Sequence, residues 1–306
     1  MKSIRVFCPG TIANVSCGFD VLGLSLAGVG DYMTVTQTAI KGITISEILG
    51  QDLPMETTQN VAGVAGLALL EALGSDAGFD IKIDKRIKAG SGIGSSAASS
   101  AGAVWAINHL LGNPFTTKEL IPFAMEGERL ASGVAHADNV APALLGGFSL
   151  VRSTDPLDVI SLPSPSELYA TVIHPQIEIK TADSRRILKS NLSLKDAITQ
   201  WGNVGGLVAG LYREDYELIG RSLQDVVIEP VRSILIPGFN EIKAAALNAG
   251  ALGGGISGSG PSVFALSKGK DKALKVADAI RLAYEPFGIS FDIHISNINE
   301  KGVYPA

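Results

Sequence analysis

Apolar and polar residues alternate in several short runs of the first half of the chain, which is the pattern of half-buried β-strands. The first run stops at Pro9 and Gly10, a pair that is typical of a turn. The pattern resumes three times before the middle of the chain. The strands predicted for this half are residues 3–8, 31–37, 79–84 and 148–151.

Apolar positions recur at intervals of three and four in longer segments of the same half, which predicts helices. The first helix begins at a cap formed by Thr57 or Thr58 and ends at Leu73. A second begins near Ser95 and is rich in small side chains, which permit close packing of its backbone. A third spans Lys118 to Leu130.

A stretch rich in Pro, Ser and Asp at residues 153–166 divides the chain, and we place a domain boundary there. We therefore expect an N-terminal domain over residues 1–160 and a C-terminal domain over residues 161–306. The elements predicted beyond the boundary are strands at 167–173 and 289–296 and helices at 193–223, 241–248 and 271–284.

Composition describes a globular chain with a sizeable core. Hydrophobic residues make up 46% and charged residues 18% of the chain, and its 35 glycines follow no repeat, which excludes disordered and collagen-like chains. The net charge is −5, and no segment clusters Lys and Arg with aromatic residues. We therefore expect no nucleic-acid partner.

Membrane insertion and disulfide formation are not expected either. Residues 89–117 and 244–267 are uncharged and long enough to span a bilayer, but they are dense in Gly and Ser. The N-terminus lacks an apolar run of signal-peptide length, which favours the cytoplasm. Cys8 and Cys17 have no histidines at metal-binding spacing, so we expect reduced thiols.

A glycine-rich stretch is the strongest chemical signal in the sequence. Its three alternate glycines permit positive φ angles and let successive backbone N–H groups approach an anion, and the helix that follows adds the positive end of its dipole. A flexible turn before a buried helix is the alternative. We predict a phosphate-binding loop formed by Lys88, Ala89, Gly90, Ser91, Gly92, Ile93, Gly94, Ser95, Ser96, Ala97 and Ala98.

A second glycine-rich segment has the spacing of a dinucleotide-binding motif at Gly253, Gly255 and Gly258. That motif requires a helix after the glycines, whereas Pro261 and a strand-like segment follow here. The sequence G-x-x-x-x-G-K-[ST] does not occur either. A bound nucleotide is therefore held by neither of these common scaffolds.

Three motifs in this order resemble those of the GHMP kinases: PGTIANVSCGFDVLGLSL, GSGIGSSAA and GALGGGISGSGPSVFAL. Within that superfamily the chain is most similar to the homoserine kinases, because it also contains HADNVAPALLGGF, the T-x-x-x-R of Thr181 to Arg185, and Arg232 before IPGF. The resemblance covers almost the whole chain. One departure is Lys88, where the family usually has Pro.

The resemblance implies a fold and an activity. The implied fold is α+β, with a left-handed β-α-β unit in the N-terminal domain, a ferredoxin-like C-terminal domain and the active site between them. The implied activity is Mg²⁺-dependent transfer of phosphate from ATP to the side-chain hydroxyl of L-homoserine, in threonine biosynthesis. The alternative functions are those of a mevalonate kinase and of a non-catalytic nucleotide-binding relative. Whether the chain forms a homodimer is left open.

The resemblance also implies which residues bind the amino acid. Homoserine carries a carboxylate, an ammonium group and a hydroxyl, and the paired donors of a guanidinium match the two oxygens of a carboxylate. Arg185 and Arg232 are implied as the carboxylate clamp, with Thr181 nearby. Asn14 and Asp20 are implied as acceptors for the ammonium group.

The remaining implied roles concern the reacting groups. Asn139, with His136 nearby, orients the substrate hydroxyl, and Ser96 and Glu128 hold Mg²⁺, an ion that prefers oxygen ligands. Glu126 is the rival for the metal, two residues earlier. Asn139 cannot take a proton at neutral pH, so we expect transfer without a dedicated protein base.

The adenine pocket is implied near one residue, Asn60, in the first turn of a predicted helix. This assignment comes from the resemblance alone. No local pattern around Asn60 points to a base.

Overall fold

Seven strands form one sheet that draws on both ends of the chain. The computed structural model describes residues 2–179 and 181–306. The strands of this sheet run in the order β11-β1-β2-β4-β3, and β5 pairs with both β2 and β6. They are β1 (Ser3–Ala13), β2 (Leu22–Thr38), β3 (Gly42–Leu49), β4 (Gly78–Asp84), β5 (Phe148–Thr154), β6 (Leu157–Leu162) and β11 (Tyr304–Pro305).

Four further strands form a second, antiparallel sheet in the second half of the chain. Their order is β10-β7-β9-β8. Because β9 follows the second glycine-rich segment directly, no dinucleotide-binding helix begins there, as the sequence predicted. The strands are β7 (Leu168–Pro175), β8 (Gly253–Ile256), β9 (Val263–Lys268) and β10 (Phe291–Asn297).

Helices pack against both sheets. None of those within residues 2–179 and 181–306 is both long and apolar enough to cross a membrane. They are α1 (Val61–Leu73), α2 (Ser95–Leu110), α3 (Ile121–Ser132), α4 (Val140–Leu145), α5 (Thr181–Arg186), α6 (Leu194–Arg213), α7 (Tyr216–Ser222), α8 (Glu229–Arg232), α9 (Phe239–Asn248) and α10 (Lys270–Tyr284).

The parallel β3–α1–β4 unit and the buried helix α2 place the phosphate-binding loop. β3 and β4 pair in parallel, with α1 as the connection. α2 packs against β1 so closely that a Cβ on Gly102 would lie 2.3 Å from the Cys8 Sγ. The small side chains predicted for this helix therefore have a packing reason. Cys8 and Cys17 are both buried and unpaired.

Several predicted boundaries in the first half were wrong. β1 does not stop at Pro9 but continues to Ala13 through an irregularity in its pairing with β2. β2 begins at Leu22, far earlier than predicted, because its glycines hide the strand pattern. A Cβ on Gly23 would lie 1.8 Å from the Asp138 carbonyl oxygen, so close packing requires glycine there.

The first long helix also begins later than predicted. Asn60, rather than Thr57 or Thr58, caps α1, since its side chain accepts a hydrogen bond from the backbone N–H of Ala62. Residues 57–59 form a separate 3₁₀ turn. β3 was not predicted, because a bulge between Ile45 and Glu47 breaks its alternation after only two apolar positions.

The segment chosen as the domain boundary contains β6, which pairs with β5 in the first sheet. At the other end of the chain, β11 pairs with β1 in the same sheet. The first sheet therefore includes residues from beyond position 161.

Candidate active site

A cavity of about 360 Å³ lies where the phosphate-binding loop meets loops and helices from both halves of the chain. Its wall includes the loop before β2, the helix α3, the turn before α4, and the helices α5 and α8. Most of the predicted site residues come together here. Those that line the cavity are Asn14, Asp20, Asn60, Ala89, Gly90, Gly92, Gly94, Ser95, Ser96, Glu128, His136, Asn139, Arg185 and Arg232.

The three alternate glycines of the loop adopt the left-handed conformation that the sequence predicted. Their φ angles are 74° at Gly90, 80° at Gly92 and 64° at Gly94. Two of them are also sites of close approach: a Cβ on Gly92 would lie 2.6 Å from the Ser257 carbonyl oxygen, and one on Gly94 would lie 1.9 Å from Thr11 Oγ1. Only glycine satisfies both the conformation and the space. The loop ends where α2 begins, with N–H groups free of helical partners.

The entry to the loop is held by a residue that the sequence analysis missed. Gln51 Nε2 donates to the Ile87 carbonyl oxygen at 2.8 Å, and the Ala89 N–H donates to Gln51 Oε1 at 2.8 Å. Lys88, which departs from the family pattern, points away and donates to Gln176 Oε1 at 2.9 Å. The side-chain amide of Gln51 therefore fixes the backbone where the family usually has a proline.

Other members of the loop serve its internal structure. The Ser95 hydroxyl donates to the Ile87 carbonyl oxygen at 2.9 Å, and the Ile93 carbonyl oxygen accepts from the Thr11 N–H at 3.1 Å. Ser91 is buried, and its carbonyl oxygen accepts from the Ser262 N–H at 3.3 Å. Ala97 and Ala98, in the first turn of α2, are fully buried.

A buried ion pair between Lys85 and Asp31 lies beneath the loop, and the sequence analysis missed it too. Lys85 Nζ also donates to the Ser95 carbonyl oxygen at 2.7 Å and to Ser99 Oγ at 2.9 Å. Asp31 Oδ1 accepts from the Ile87 N–H at 2.8 Å. The pair therefore joins the end of β4 to the start of α2, and Lys85 lies at the cavity wall.

Glu128 and Ser96 fit a small divalent ion. Glu128 is buried on α3, and burial raises the pKa of its carboxyl to about 7, against the opposing effects of a hydrogen bond from Ser96 and the charge of Lys85. Within the described residues its Oε1 has no hydrogen-bond partner. A buried carboxylate oxygen beside a hydroxyl suits Mg²⁺, which completes its shell with phosphate oxygens and water.

Glu126 faces the other way, on the exposed side of α3. Its Oε2 lies 3.0 Å from Arg129 Nε in an ion pair one turn along the helix. No group of three or more His, Cys, Asp and Glu residues suited to a metal occurs among residues 2–179 and 181–306. This arrangement favours Glu128 over Glu126 as the metal ligand. The metal would take its remaining oxygen ligands from bound phosphates and water.

Two arginines and an aspartate form the charged end of the cavity. Arg185 Nη2 donates to both Asp20 oxygens, at 2.7 and 2.9 Å. Arg232 Nε donates to the Ser184 carbonyl oxygen at 3.0 Å. The guanidinium carbons of Arg185 and Arg232 lie 5.5 and 4.9 Å from the centre of the Phe19 ring, which sequence reasoning did not single out. Burial, followed by the charge of Arg185, lowers the pKa of Arg232 to about 10, so Arg232 remains a cation at neutral pH.

The loop that carries Asn14 and Asp20 has an unusual backbone. Asn14, Val15 and Ser16 are consecutive residues with φ angles of 72°, 40° and 62°, and Asp20 has a φ angle of 60°. Such conformations cost about 1–3 kcal/mol each and persist only where the surroundings impose them. Asn14 contributes by accepting from the Asp20 N–H at 3.0 Å and donating to the Gly258 carbonyl oxygen at 2.8 Å.

The HADN turn brings three polar side chains to the cavity. Thr11 Oγ1 donates to Asn139 Oδ1 at 2.7 Å, which leaves the N–H groups of that amide for a ligand. His136 Nε2 is buried with no hydrogen-bond partner in the described part of the chain, and burial lowers the pKa of His136, so the ring is neutral at pH 7. Asp138, named in the sequence motif without a role, also lines the cavity.

Asp138 is a buried carboxyl with one oxygen that lacks a partner in the described part of the chain. Among the described residues its Oδ1 forms no hydrogen bond. Burial, then the charges of Asp20 and Glu128, raise the pKa of Asp138 to about 7. A cation bound beside it would satisfy the oxygen and keep the carboxylate ionised.

Asn60 has a structural role as well as a place in the cavity wall. Asn60 lines the cavity beside Leu53 and Pro54, but its side chain also caps α1 and donates to the Pro54 carbonyl oxygen at 2.7 Å. Thr181 is the first residue of α5, and its side chain lies outside the described residues.

The raised pKa of Asp138 predicts a pH-dependent stability. Because the folded protein keeps this proton up to about pH 7 and the unfolded chain loses it near pH 3.8, the folded state loses stability as pH rises between these values. Asp138→Asn should therefore raise the free energy of unfolding of the ligand-free protein at pH 8 by about 2–4 kcal/mol, and by much less near pH 4. Urea titrations at both pH values measure this.

The control for that experiment is Asp52→Asn, at an exposed aspartate. It should change the free energy of unfolding little at either pH. If Asp138→Asn raised the free energy of unfolding equally at pH 4 and pH 8, the raised pKa of Asp138 would be contradicted.

Comparison with known proteins agrees with this geometry. Residues 59–147 match the family described as GHMP kinases N terminal domain, and residues 207–286 match GHMP kinases C terminal. A homoserine kinase of Chloroherpeton thalassium is 48% identical over 315 aligned positions, which cover 99% of both chains.

Solved structures show the same relationship. Homoserine kinase from Cytophaga hutchinsonii superposes with a TM-score of 0.96 at 52% identity, covering 100% of this chain and 98% of that one. An L. major mevalonate kinase, only 16% identical, shares the fold with a TM-score of 0.70 over 97% of this chain and 96% of its own. The α+β two-domain fold implied by the motifs is confirmed. Similarity of this extent over the whole length shows that the chain belongs to the homoserine kinase family within the GHMP kinases.

Proposed function

We propose that the chain transfers the γ-phosphoryl group of ATP to the side-chain hydroxyl of L-homoserine and forms O-phospho-L-homoserine, a step of threonine biosynthesis. One observation carries the proposal. The cavity joins a glycine-rich helix N-terminus, suited to phosphates, to a cluster of two guanidinium groups and two carboxyl groups, suited to a zwitterion.

The charged end of the cavity is proposed to bind homoserine by exchanging ion pairs. Arg185 and Asp20 form an ion pair with each other in the structure. A zwitterion replaces that contact with two new ones, its carboxylate on Arg185 and Arg232 and its ammonium group on Asp20. Asp138, whose buried oxygen lacks a partner among the described residues, is proposed as a second acceptor for the ammonium group.

The other end of the cavity is proposed to bind the nucleotide. Loop N–H groups and the N-terminus of α2 hold the phosphates, and the buried Lys85–Asp31 pair supports the start of α2 behind them. Ser96 and Glu128 would hold Mg²⁺, which when bound neutralises charge on the β- and γ-phosphate oxygens. The adenine is proposed to lie toward Leu53, Pro54 and Asn60.

The protein contributes to the reaction mainly by positioning the reacting groups, because phosphoryl transfer requires little covalent chemistry from its side chains. Asn139 is proposed to donate to the substrate hydroxyl, since its own oxygen is occupied by Thr11. His136 lies at the same wall as a neutral ring. The hydroxyl proton passes to a phosphate oxygen or to water, without a dedicated protein base.

A mevalonate kinase activity is the second candidate, because mevalonate also carries a carboxylate for the two arginines. The acidic groups Asp20 and Asp138 favour an ammonium-bearing substrate instead. An assay of ADP release with L-homoserine, with R-mevalonate and with no acceptor separates the candidates. We expect release with L-homoserine alone. Release with mevalonate, or tight ATP binding without release, would overturn the proposal.

A further inference from the structure

The loop from Asn14 to Asp20 is held by contacts from the second half of the chain as well as by its own hydrogen bonds. Three of its residues in a row have left-handed φ angles, and one of them is the β-branched Val15. Such a run relaxes unless neighbouring groups hold it. The peptide carbonyl of Cys17, at the middle of the loop, is where a residue from the second half of the chain binds it.

That residue is Gln200, in the middle of α6. Its Nε2 donates to the Cys17 carbonyl oxygen at 2.8 Å and to Asp225 Oδ1 at 3.0 Å, and its Oε1 accepts from the Val226 N–H at 3.0 Å. Both donors and the acceptor of the amide are therefore engaged, and the partners fix which end is oxygen and which is nitrogen. Gln200 is not among the described residues that line the cavity.

The carboxylate of Asp225 extends this contact to α8. Its Oδ1 also accepts from the Ile228 N–H at 2.9 Å, and its Oδ2 accepts from the Glu229 N–H at 2.9 Å. These backbone groups lead directly into α8, which ends at Arg232. A continuous chain of hydrogen bonds thus runs from the loop with Asp20 through Gln200 to the helix with Arg232.

We infer that Gln200 is a positioning residue that sets the distance between the ammonium-binding loop and the carboxylate-binding helix, and thereby the selectivity for an α-amino acid. The inference rests on the proposed function. Asp20 and Arg232 bind opposite charges on the same carbon of the substrate, so a small shift of one element relative to the other weakens both contacts at once. Removing the bridge should harm substrates that carry both charges most.

Gln200→Met tests the inference because it keeps the length of the side chain and removes all three hydrogen bonds. We expect the KM for L-homoserine to rise about tenfold, the loss typical of a hydrogen bond in a partly buried network, with the KM for ATP within twofold of wild type. The preference for L-homoserine over 4-hydroxybutanoate, which lacks the ammonium group, should fall about tenfold as well. A purely structural role would not change that ratio.

Asn203→Ala is the matched control. Asn203 lies one turn further along α6 and donates to the Gln224 carbonyl oxygen at 2.9 Å, and within the described residues it forms no hydrogen bond with the loop from Asn14 to Asp20. It should leave the KM for L-homoserine and the substrate preference unchanged. An equal effect from Asn203→Ala would show general loosening of α6 and would overturn the inference.

Gln200→Glu provides a second variant. It keeps an acceptor for the Val226 N–H, loses the donors to Cys17 and Asp225, and brings a second carboxylate beside Asp225. We therefore expect a larger rise in KM than with methionine. Wild-type KM and preference in a folded Gln200 variant would refute the inference, as would failure of both variants to fold. If the wild-type protein itself does not phosphorylate L-homoserine, the proposed function fails instead.

Discussion

Glu128→Gln is expected to lower kcat by about 10²–10³-fold with saturating ATP and L-homoserine, the loss usual for a preorganised group at a developing charge. Glutamine has the same shape, so the buried site on α3 keeps its packing. What disappears is the negative charge beside Ser96 that is proposed to hold Mg²⁺. Initial rates across a range of Mg²⁺ concentrations measure the effect, and the concentration that gives half the maximal rate should rise as well.

Glu126→Gln is the matched control for this prediction. Glu126 lies two residues earlier on α3, on its exposed side, and its partner is Arg129. An exposed ion pair of this kind contributes about 0–1 kcal/mol, so kcat and the Mg²⁺ dependence should stay close to wild type. A large loss in Glu126→Gln with a normal rate in Glu128→Gln would show that the metal had been assigned to the wrong carboxylate.

Arg232→Ala is expected to raise the KM for L-homoserine by about 10²-fold, because truncating one partner of a buried charge pair costs about 2–5 kcal/mol. Arg232 is only 3% exposed and lies against Phe19, so water replaces its contacts poorly. The KM for ATP should change less than threefold, since Arg232 belongs to the end of the cavity away from the loop. Steady-state kinetics with each substrate varied in turn measure the two constants.

Arg185→Ala and Arg221→Ala complete the comparison. Arg185→Ala should also raise the KM for L-homoserine, but less, because its side chain is one-third exposed and its loss leaves Asp20 accessible to water. Arg221→Ala, at an exposed position on α7, should have no effect. Equal increases in both KM values for Arg232→Ala would contradict the division of the cavity into a phosphate end and an amino-acid end.

The parts of the site predicted from the sequence are those encoded by a local motif. The φ angles of Gly90, Gly92 and Gly94 and the start of α2 at Ser95 follow from the residue types of one short segment. The strand, loop and helix order around that segment follows from hydrophobic periodicity. The other predicted residues came from the resemblance to a family, and the structure brings most of them to one cavity. Their individual roles stay proposals.

The parts that were missed depend on contacts between distant segments. In the sequence, Lys85 is one of several charged residues after a strand. Its partner Asp31 lies 54 positions earlier, and only folding brings the two together. Gln200 shows no pattern in a helix, yet it binds a carbonyl oxygen 183 positions away. The early start of β2 was hidden because its glycines, required by close packing, have low strand propensity. Side chains that support a site from a distance leave no local signal.

The central claim is that one cavity recognises the two opposite charges of homoserine while its glycine-rich loop holds ATP. The most direct test compares kcat/KM for L-homoserine with that for 4-hydroxybutanoate, which lacks the ammonium group, and for 3-aminopropan-1-ol, which lacks the carboxylate. We expect each analogue to be phosphorylated at least about 10²-fold less efficiently, since each leaves buried charged groups unpaired. Values for either analogue within threefold of that for L-homoserine would contradict the account.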